Sequence, residues 1–185
     1  MATIEISSVE QLDKLAATVR ASADRTVRSI RNILGSETDS LQVLRLMKFS
    51  EIGQHPTDDR PLNLIEQVNQ TFTYLVTLEA ARRILARHPD CGGLKVHLGT
   101  AAGFDVESQL PGVVAAEAFA ATHPASNNKL RKDVEKLLEK ADGVTHRYVF
   151  FSCPKFPSGR HANLESSAGV QVWSLAVESL HGAKR

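Results

Sequence analysis

Three carboxylates fall within a short stretch that otherwise resembles the core of a sheet. Asp105 and Glu107 lie in the apolar run GFDVES and Glu117 lies in VVAAEAFAA, with a Pro-Gly turn between the two runs. Burying a carboxylate in a sheet is costly unless a cation or a strong donor meets it. A hairpin that aims Asp105 and Glu117 at one side of a sheet would hold Mg²⁺ or Mn²⁺, because such ions take one or two carboxylates plus water and substrate phosphate. An ion held in this way polarises a phosphoryl oxygen and activates a bound water, which is the chemistry of phosphodiester hydrolysis.

The surroundings of Glu117 weigh against an ordinary solvent-exposed hairpin. Half-solvated antiparallel hairpins place carboxylates outward routinely, and Glu107 and Glu117 alone would fit that arrangement. The run around Glu117, however, is apolar enough to predict two covered faces. Small residues beside it would leave room for a phosphate backbone: Ala115, Ala116, Ala118, Ala120 and Ala121. We therefore expect Glu117 to be buried.

The elements that must position these carboxylates follow from the periodicity of apolar residues. Helices are predicted over residues 8–34, 39–48, 62–87 and 129–141, and strands over 94–99, 103–108, 113–121, 146–152 and 170–175. This order predicts an α/β fold with a mixed central sheet flanked by helices. The loop GQHPTDDRP separates an N-terminal helical segment, residues 1–52, from an α/β core, residues 53–185.

The predicted helix over residues 62–87 has two stripes. One is apolar and is expected to face the core: Ile65, Val68, Phe72, Leu75 and Val76. The other is polar but nearly uncharged: Glu66, Asn69, Gln70, Thr73 and Thr77. Surfaces in contact with water usually gather lysine and glutamate, so this stripe indicates a polar cleft, with an ordinary exposed face as the alternative.

The succession of helix, three strands, helix and strand, with Asp105 in the second strand and Glu117 in the third, resembles the PD-(D/E)XK nuclease superfamily, the restriction-endonuclease-like fold. The likeness covers about residues 62–152. It implies that Asp105 and Glu117 bind Mg²⁺ or Mn²⁺ with the carbonyl of Ala118, and Glu107 is a further candidate ligand of this metal. Glu66 would match the acid often found in the first helix, and Gln70 would lie nearby to contact substrate.

The sequence departs from the family at the lysine that activates water. Phe119 stands two residues after Glu117, and a phenylalanine cannot donate to water. Some members of the superfamily supply the lysine from the following helix, and Lys129 or Lys132 could do so here. Asn127 and Asn128 precede that helix at a place suited to binding an anion, and are expected to contact substrate. The alternative is an inactive module that binds nucleic acid or a protein partner.

Other chemistries find little support in the sequence. No HExxH, GxSxG, P-loop or GxGxxG pattern occurs, which argues against zinc-protease, esterase, NTPase and dinucleotide-binding classes. Three of the seven histidines precede proline and are interpreted as turn residues. Cys91 and Cys153 lie far apart and are interpreted as reduced thiols.

Composition sets the remaining expectations. A hydrophobic share of 42% and a charged share of 23% are typical of a globular protein, and a formal net charge of +1 argues against a histone-like polyanion binder. We find no apolar run long enough for a membrane span and no basic leader, so the expectation is a cytoplasmic protein with no membrane partner. DNA is the expected partner. The apolar stripe of the first helix also allows a homodimer.

Overall fold

A computed structural model describes residues 3–37, 39–99, 103–165 and 169–176. Contacts along the chain group it into two compact units, residues 1–12 with 73–185 and residues 13–72. These bounds differ from the predicted division after residue 52, because the first strand joins the larger unit and the first half of the third helix joins the smaller one.

The helices and longer strands lie within a few residues of their predicted positions. The helices are α1 (Val9–Ser36), α2 (Ser40–Phe49), α3 (Leu64–Arg87) and α4 (Lys129–Lys140). The strands are β1 (Thr3–Ile6), β2 (Gly53–Gln54), β3 (Pro61–Leu62), β4 (Leu94–His97), β5 (Val106–Ser108), β6 (Val114–Ala120), β7 (His146–Ser152), β8 (Gly159–Arg160) and β9 (Val170–Ser174). Four strands were not predicted: β1, β8 and the two that form a hairpin in the predicted loop, β2 and β3.

The larger unit is built on a seven-stranded mixed sheet in the order β1-β4-β5-β6-β7-β9-β8. Strands β1, β4, β5 and β6 are antiparallel neighbours, β6, β7 and β9 run parallel, and β8 is antiparallel to β9. Parallel neighbours need a crossover connection. Helix α4 supplies the connection between β6 and β7, and the mixed α/β class is confirmed.

One face of this sheet packs on α4. Strands β6 and β7 contribute Ala115, Phe119, Val149 and Phe151 to a core that includes Val134 and Leu137 of the helix, with Val172 of β9 beside them. Side chains alternate between the faces of a strand, so Glu117 lies on this same face, between Ala115 and Phe119. The sheet therefore places a carboxylate inside the apolar layer under α4.

In the smaller unit, the first part of α3 buries residues that belong to neither predicted stripe. Ile65, Val68 and Phe72 are 55%, 43% and 48% exposed, whereas Gln67 and Thr71 are buried. The reason is a polar network: the Gln67 amide donates to Ser22 Oγ and Thr71 Oγ1 at 3.3 and 3.1 Å. Its oxygen accepts the Gln54 N–H at 2.7 Å. The prediction that this half of α3 buries its apolar stripe was wrong, whereas Leu75 and Val76, in the larger unit, are buried as expected.

The described part of the chain offers no helix with the length and apolar character to cross a bilayer.

Candidate active site

Three polar residues lie side by side across β4, β5 and β6. The register pairs Val96 with Val106 and Val106 with Ala116. Continuing this register by one residue places Asp105 opposite both His97 and Glu117. A hydrogen bond from the His97 N–H to the Asp105 carbonyl, 2.9 Å long, shows that the pairing of the first two strands continues to this point. Directly opposed residues of an antiparallel pair have side chains on the same face. His97, Asp105 and Glu117 therefore form a row under α4.

The Asp105 carboxylate is held by the backbone of the neighbouring strand. Its Oδ2 accepts a hydrogen bond from the Ala118 N–H at 2.8 Å. Burial of the carboxyl group raises the pKa of Asp105, and the bond from Ala118 together with the nearby Lys129 and Lys136 ammonium groups lowers it in part. An ionised Asp105 would consequently gain from any cation brought close to it.

The Glu117 carboxylate meets a lysine from α4. Oε1 lies 2.6 Å from Lys136 Nζ, and the same ammonium donates to the Gly103 carbonyl at 2.7 Å. It also lies 5.6 Å from the centre of the Phe104 ring. Burial and the negative charge of Asp105 raise the pKa of Glu117 to about 7, with Lys136 opposing the rise. Two acids that repel each other thus share a face with one ammonium group between the helix and the sheet.

A second charged pair lies one helical turn away. Lys129 Nζ is 2.5 Å from Asp133 Oδ1 and 5.9 Å from the centre of the Phe119 ring. Burial lowers the pKa of Lys129, but the hydrogen bond to Asp133 and the negative charges of Asp133, Asp105 and Glu117 together outweigh it, and the pKa is raised. Burial raises the pKa of Asp133 itself. Asp133 Oδ2 is buried and has no hydrogen-bond partner among the described residues, so this acid retains an unused acceptor.

The spacing of these charges explains why one helix supplies them. Lys129, Asp133 and Lys136 follow one another at intervals of four and three residues, which places them on one face of α4. The adjoining face of α4 carries the apolar residues that pack on the sheet, so the core contacts of the helix hold the two lysines at the edge of that apolar layer.

Of the residues predicted for the site, the structure brings together Asp105, Glu117, Ala118 and Lys129. Lys132 is exposed and makes no hydrogen bond or ion pair within the described part of the chain. The Glu107 side chain lies on the same face, and its Oε1 is 3.4 Å from His97 Nε2. Asn127 and Asn128 are exposed before α4, both with left-handed φ, at 55° and 56°.

The two remaining predicted residues belong to the smaller unit. Glu66 is exposed, and its N–H donates to Asn63 Oδ1 at 3.0 Å. Gln70 is partly buried, and its Oε1 is enclosed without a hydrogen-bond partner among the residues that the structure describes. The roles of Glu66 and Gln70 stay predictions.

Three residues of the site were missed as candidates: Lys136, Asp133 and His97. Lys136 had a signal, because it shares a helical face with Lys129 at a spacing of seven residues. The signal for Asp133 is its place between them. His97 can be recognised as a site residue only from the strand register, which the sequence alone does not reveal. Its Nδ1 lies 3.2 Å from Thr3 Oγ1 of β1, a strand that was not predicted.

Oxygen ligands for a hard cation are present at the row. Two carboxylates on one face, those of Asp105 and Glu117, match the oxygen donors that Mg²⁺ takes together with water and substrate phosphate. Among residues 3–37, 39–99, 103–165 and 169–176, no group of three or more His, Cys, Asp or Glu side chains is arranged to hold a metal ion.

Comparison with protein-family models, with curated proteins and with solved structures gives no match for this chain.

Proposed function

We propose that this protein is a Mg²⁺-dependent nuclease that hydrolyses phosphodiester bonds in DNA, with a core of the restriction-endonuclease-like type. The observation that supports this most is the pairing of Asp105 with Glu117 across β5 and β6, with the Lys136 ammonium 2.6 Å from Glu117. Acid, acid and lysine are the three groups that the PD-(D/E)XK resemblance requires. Here the lysine comes from α4, because Phe119 occupies the position where the family carries its lysine.

Each residue then has a role. Asp105, Glu117 and the Ala118 carbonyl would hold Mg²⁺ or Mn²⁺, which when bound supplies a Lewis acid for the phosphoryl oxygen and lowers the pKa of its water. The Lys136 Nζ group would donate a hydrogen bond toward the same space, where it would orient a water and offset charge on phosphate oxygens. The Gly103 carbonyl holds the ammonium in position.

The start of α4 fits the phosphate backbone. Asn127, Asn128 and Lys129 lie at the N-terminus of this 12-residue helix, where the helix dipole favours an anion. The exposed Lys132 would contact phosphate rather than water. Glu66, as an accessory acid or second-metal ligand, Gln70, as a substrate contact, and Glu107, beside the metal, keep the roles that the resemblance implies.

Cleavage of plasmid DNA and short duplexes tests the proposal. Wild-type protein and the Asp105→Ala variant are compared with Mg²⁺, with Mn²⁺ and with EDTA, and RNA duplexes are tested in parallel. We expect cleavage of DNA by the wild type only, and only with the metal. Equal cleavage by both proteins would place the activity elsewhere and contradict the proposal.

Phe119 supports one alternative, an inactive nuclease-like module that binds nucleic acid or a protein partner. Its ring is buried in the core under α4 and stacks on Phe151 with a centroid distance of 6.0 Å. The position that carries the lysine of the family is thus used for packing. Calorimetry that detects DNA binding but no binding of Mg²⁺ or Mn²⁺ would select this alternative.

A further inference from the structure

The sheet of the larger unit has a cavity on the face opposite the carboxylates. Tyr148 and Phe150 alternate along β7 with Val149 and Phe151, so their rings point away from α4. A cavity of about 240 Å³ opens over these rings. Its walls include Trp173 of β9, which is in register with Phe150, and two arginines of α3, Arg83 and Arg87.

Aromatic rings form the floor of this cavity, and their positions are fixed. The Tyr148 and Phe150 rings stack with a centroid distance of 5.5 Å and an interplanar angle of 29°. The Tyr148 hydroxyl is 2.8 Å from His88 Nε2. Burial raises the pKa of Tyr148, so its hydroxyl stays neutral at physiological pH. Burial, with His146 and Arg87 nearby, lowers the pKa of His88, which is therefore uncharged there as well.

The charge of the cavity comes from its arginines. The Arg87 guanidinium lies 5.3 Å from the centre of the Trp173 ring, and it has no carboxylate partner among the described residues. Arg83 Nη2 donates to Ser158 Oγ at 3.2 Å. Its Nε is 3.7 Å from Glu79 Oε1, but Glu79 also pairs with Arg82 at 3.5 Å. Within the described residues, Glu79 is shared between Arg83 and Arg82, and Arg87 has no carboxylate partner, so the guanidinium groups of Arg83 and Arg87 bring positive charge to the cavity.

We propose that this cavity binds a nucleotide, with the base against the half-buried Trp173 ring, beside the buried Tyr148 and Phe150, and the phosphate on Arg87 and Arg83. Aromatic side chains stack on any base, and guanidinium groups bind phosphate through paired hydrogen bonds. At about 240 Å³ the cavity is too small for a duplex. It lies on the opposite face of the sheet from the proposed active site, so its binding of a nucleotide does not depend on the proposed activity. The same chemistry is offered by a free mononucleotide and by the terminal nucleotide of a single strand.

Trp173 is the sole tryptophan of the chain, so its fluorescence reports on this cavity. Full-length protein is titrated in EDTA with dAMP, deoxyadenosine and inorganic phosphate, and calorimetry measures each affinity independently. We expect saturable binding of dAMP with a change in tryptophan emission. Deoxyadenosine and phosphate should each bind at least about tenfold more weakly, because each retains only part of the contacts. A 5′-phosphorylated trinucleotide that binds more tightly than dAMP identifies a strand end as the ligand, and equal affinity identifies the free nucleotide.

Two matched variants decide whether the cavity is responsible. Arg87→Gln removes, from an exposed helix end, a guanidinium that has no carboxylate partner among the described residues. Arg131→Gln removes an exposed arginine of α4 that lies 3.7 Å from Glu135. Arg87→Gln should weaken dAMP binding at least about tenfold and Arg131→Gln by no more than about twofold. Circular dichroism checks that both variants fold. An absence of saturable dAMP binding in the wild type, or equal affinity in the two variants, would overturn the proposal.

Discussion

Lys136 of α4 and Glu117 of β6 form an ion pair 2.6 Å long at the boundary between helix and sheet. The carboxylate is buried, its pKa is raised to about 7, and Asp105 lies opposite it in the neighbouring strand. Such a pair has two interpretations, a structural clamp for α4 or part of a catalytic centre, and they differ in what happens when a single group is removed.

The first prediction concerns Lys136. The Lys136→Met variant keeps the length and apolar stem of the side chain but removes its charge. If Lys136 orients the attacking water, DNA cleavage with Mg²⁺ should fall by about 10²–10⁴-fold, the range found for a positioned proton donor or acceptor. Binding of Mn²⁺, followed by calorimetry, should persist, because the carboxylates remain.

The control for this prediction is Lys132→Met, which alters an exposed lysine of the same helix. It should retain cleavage close to the wild-type rate at saturating DNA. Loss of cleavage in the Lys132 variant, with an active Lys136 variant, would move the catalytic lysine to Lys132 and contradict the assignment to Lys136.

The second prediction concerns metal binding by Asp105. The Asp105→Asn variant retains an oxygen that can accept the hydrogen bond from the Ala118 N–H, so the strand pairing should survive. The amide lacks the charge that a divalent cation requires. We expect heats of Mn²⁺ binding to disappear while the urea unfolding midpoint stays equal to or above that of the wild type, because a desolvated charge has been removed. Undiminished Mn²⁺ binding in this variant would exclude Asp105 as a ligand.

The third prediction is a dependence of stability on pH that arises from Glu117. The folded protein has this carboxyl pKa near 7, raised from 4.5. Between these values the folded state holds a proton that the unfolded state has lost. The contribution of Glu117 to the free energy of unfolding is therefore fully present below about pH 4.5 and is lost as pH rises through about 7.

Guanidinium unfolding at pH 5 and pH 8 measures this effect. The wild type should lose on the order of 2 kcal/mol more than Glu117→Gln between the two pH values, because glutamine does not titrate. Histidines whose pKa is lowered, such as His55 and His88, act in both proteins alike and cancel in the comparison. Glu135→Gln, which alters an exposed glutamate, is the control and should show the same change in the free energy of unfolding between pH 5 and pH 8 as the wild type. Parallel pH curves for wild type and Glu117→Gln would show that Glu117 ionises normally.

The fourth prediction separates Lys129 from Lys136. Lys129 pairs with Asp133, which is buried and has a second oxygen without a partner. Removing the ammonium in Lys129→Met leaves that acid uncompensated and should destabilise the fold by about 2 kcal/mol, compared with less than about 0.5 kcal/mol for Lys132→Met. In the double variant Lys129→Met with Asp133→Asn, part of the loss should be recovered. Additive losses in the double-mutant cycle would show that the two side chains do not interact energetically.

The sequence predicts much of this fold because most of its elements have a clear period. The run HRYVFFS becomes β7 at the predicted bounds, and KLRKDVEKLLEKA becomes α4. The short strands β1 and β8 escaped prediction, since their pairing depends on partners distant in the chain. The stripes of α3 were misassigned in its first half, where Gln67 is buried by hydrogen bonds that hydrophobicity does not report.

The residues of the candidate site likewise fall into those that the sequence predicts and those that it does not. Asp105 and Glu117 could be found because carboxylates are conspicuous in apolar runs. The choice of lysine could not be made, because Lys129, Lys132, Lys136 and Lys140 share one face and only the tilt of α4 on the sheet distinguishes them. His97 depends on register across three strands, a property of the folded sheet rather than of any local pattern.

Supplying the ammonium group from a helix also changes which sequence alterations the site can tolerate. A strand lysine two positions after the acid is bound to it by covalent geometry, whereas α4 is joined to β6 by the loop over residues 121–128. A change in the length of that loop leaves the Lys136 ammonium group in place, provided that α4 keeps the same packing contacts with the core. A single residue inserted inside α4 before Lys136 would instead turn everything after it by about 100° and carry the charge away from Glu117. Helical phase, rather than distance along the chain, is what keeps these charges together.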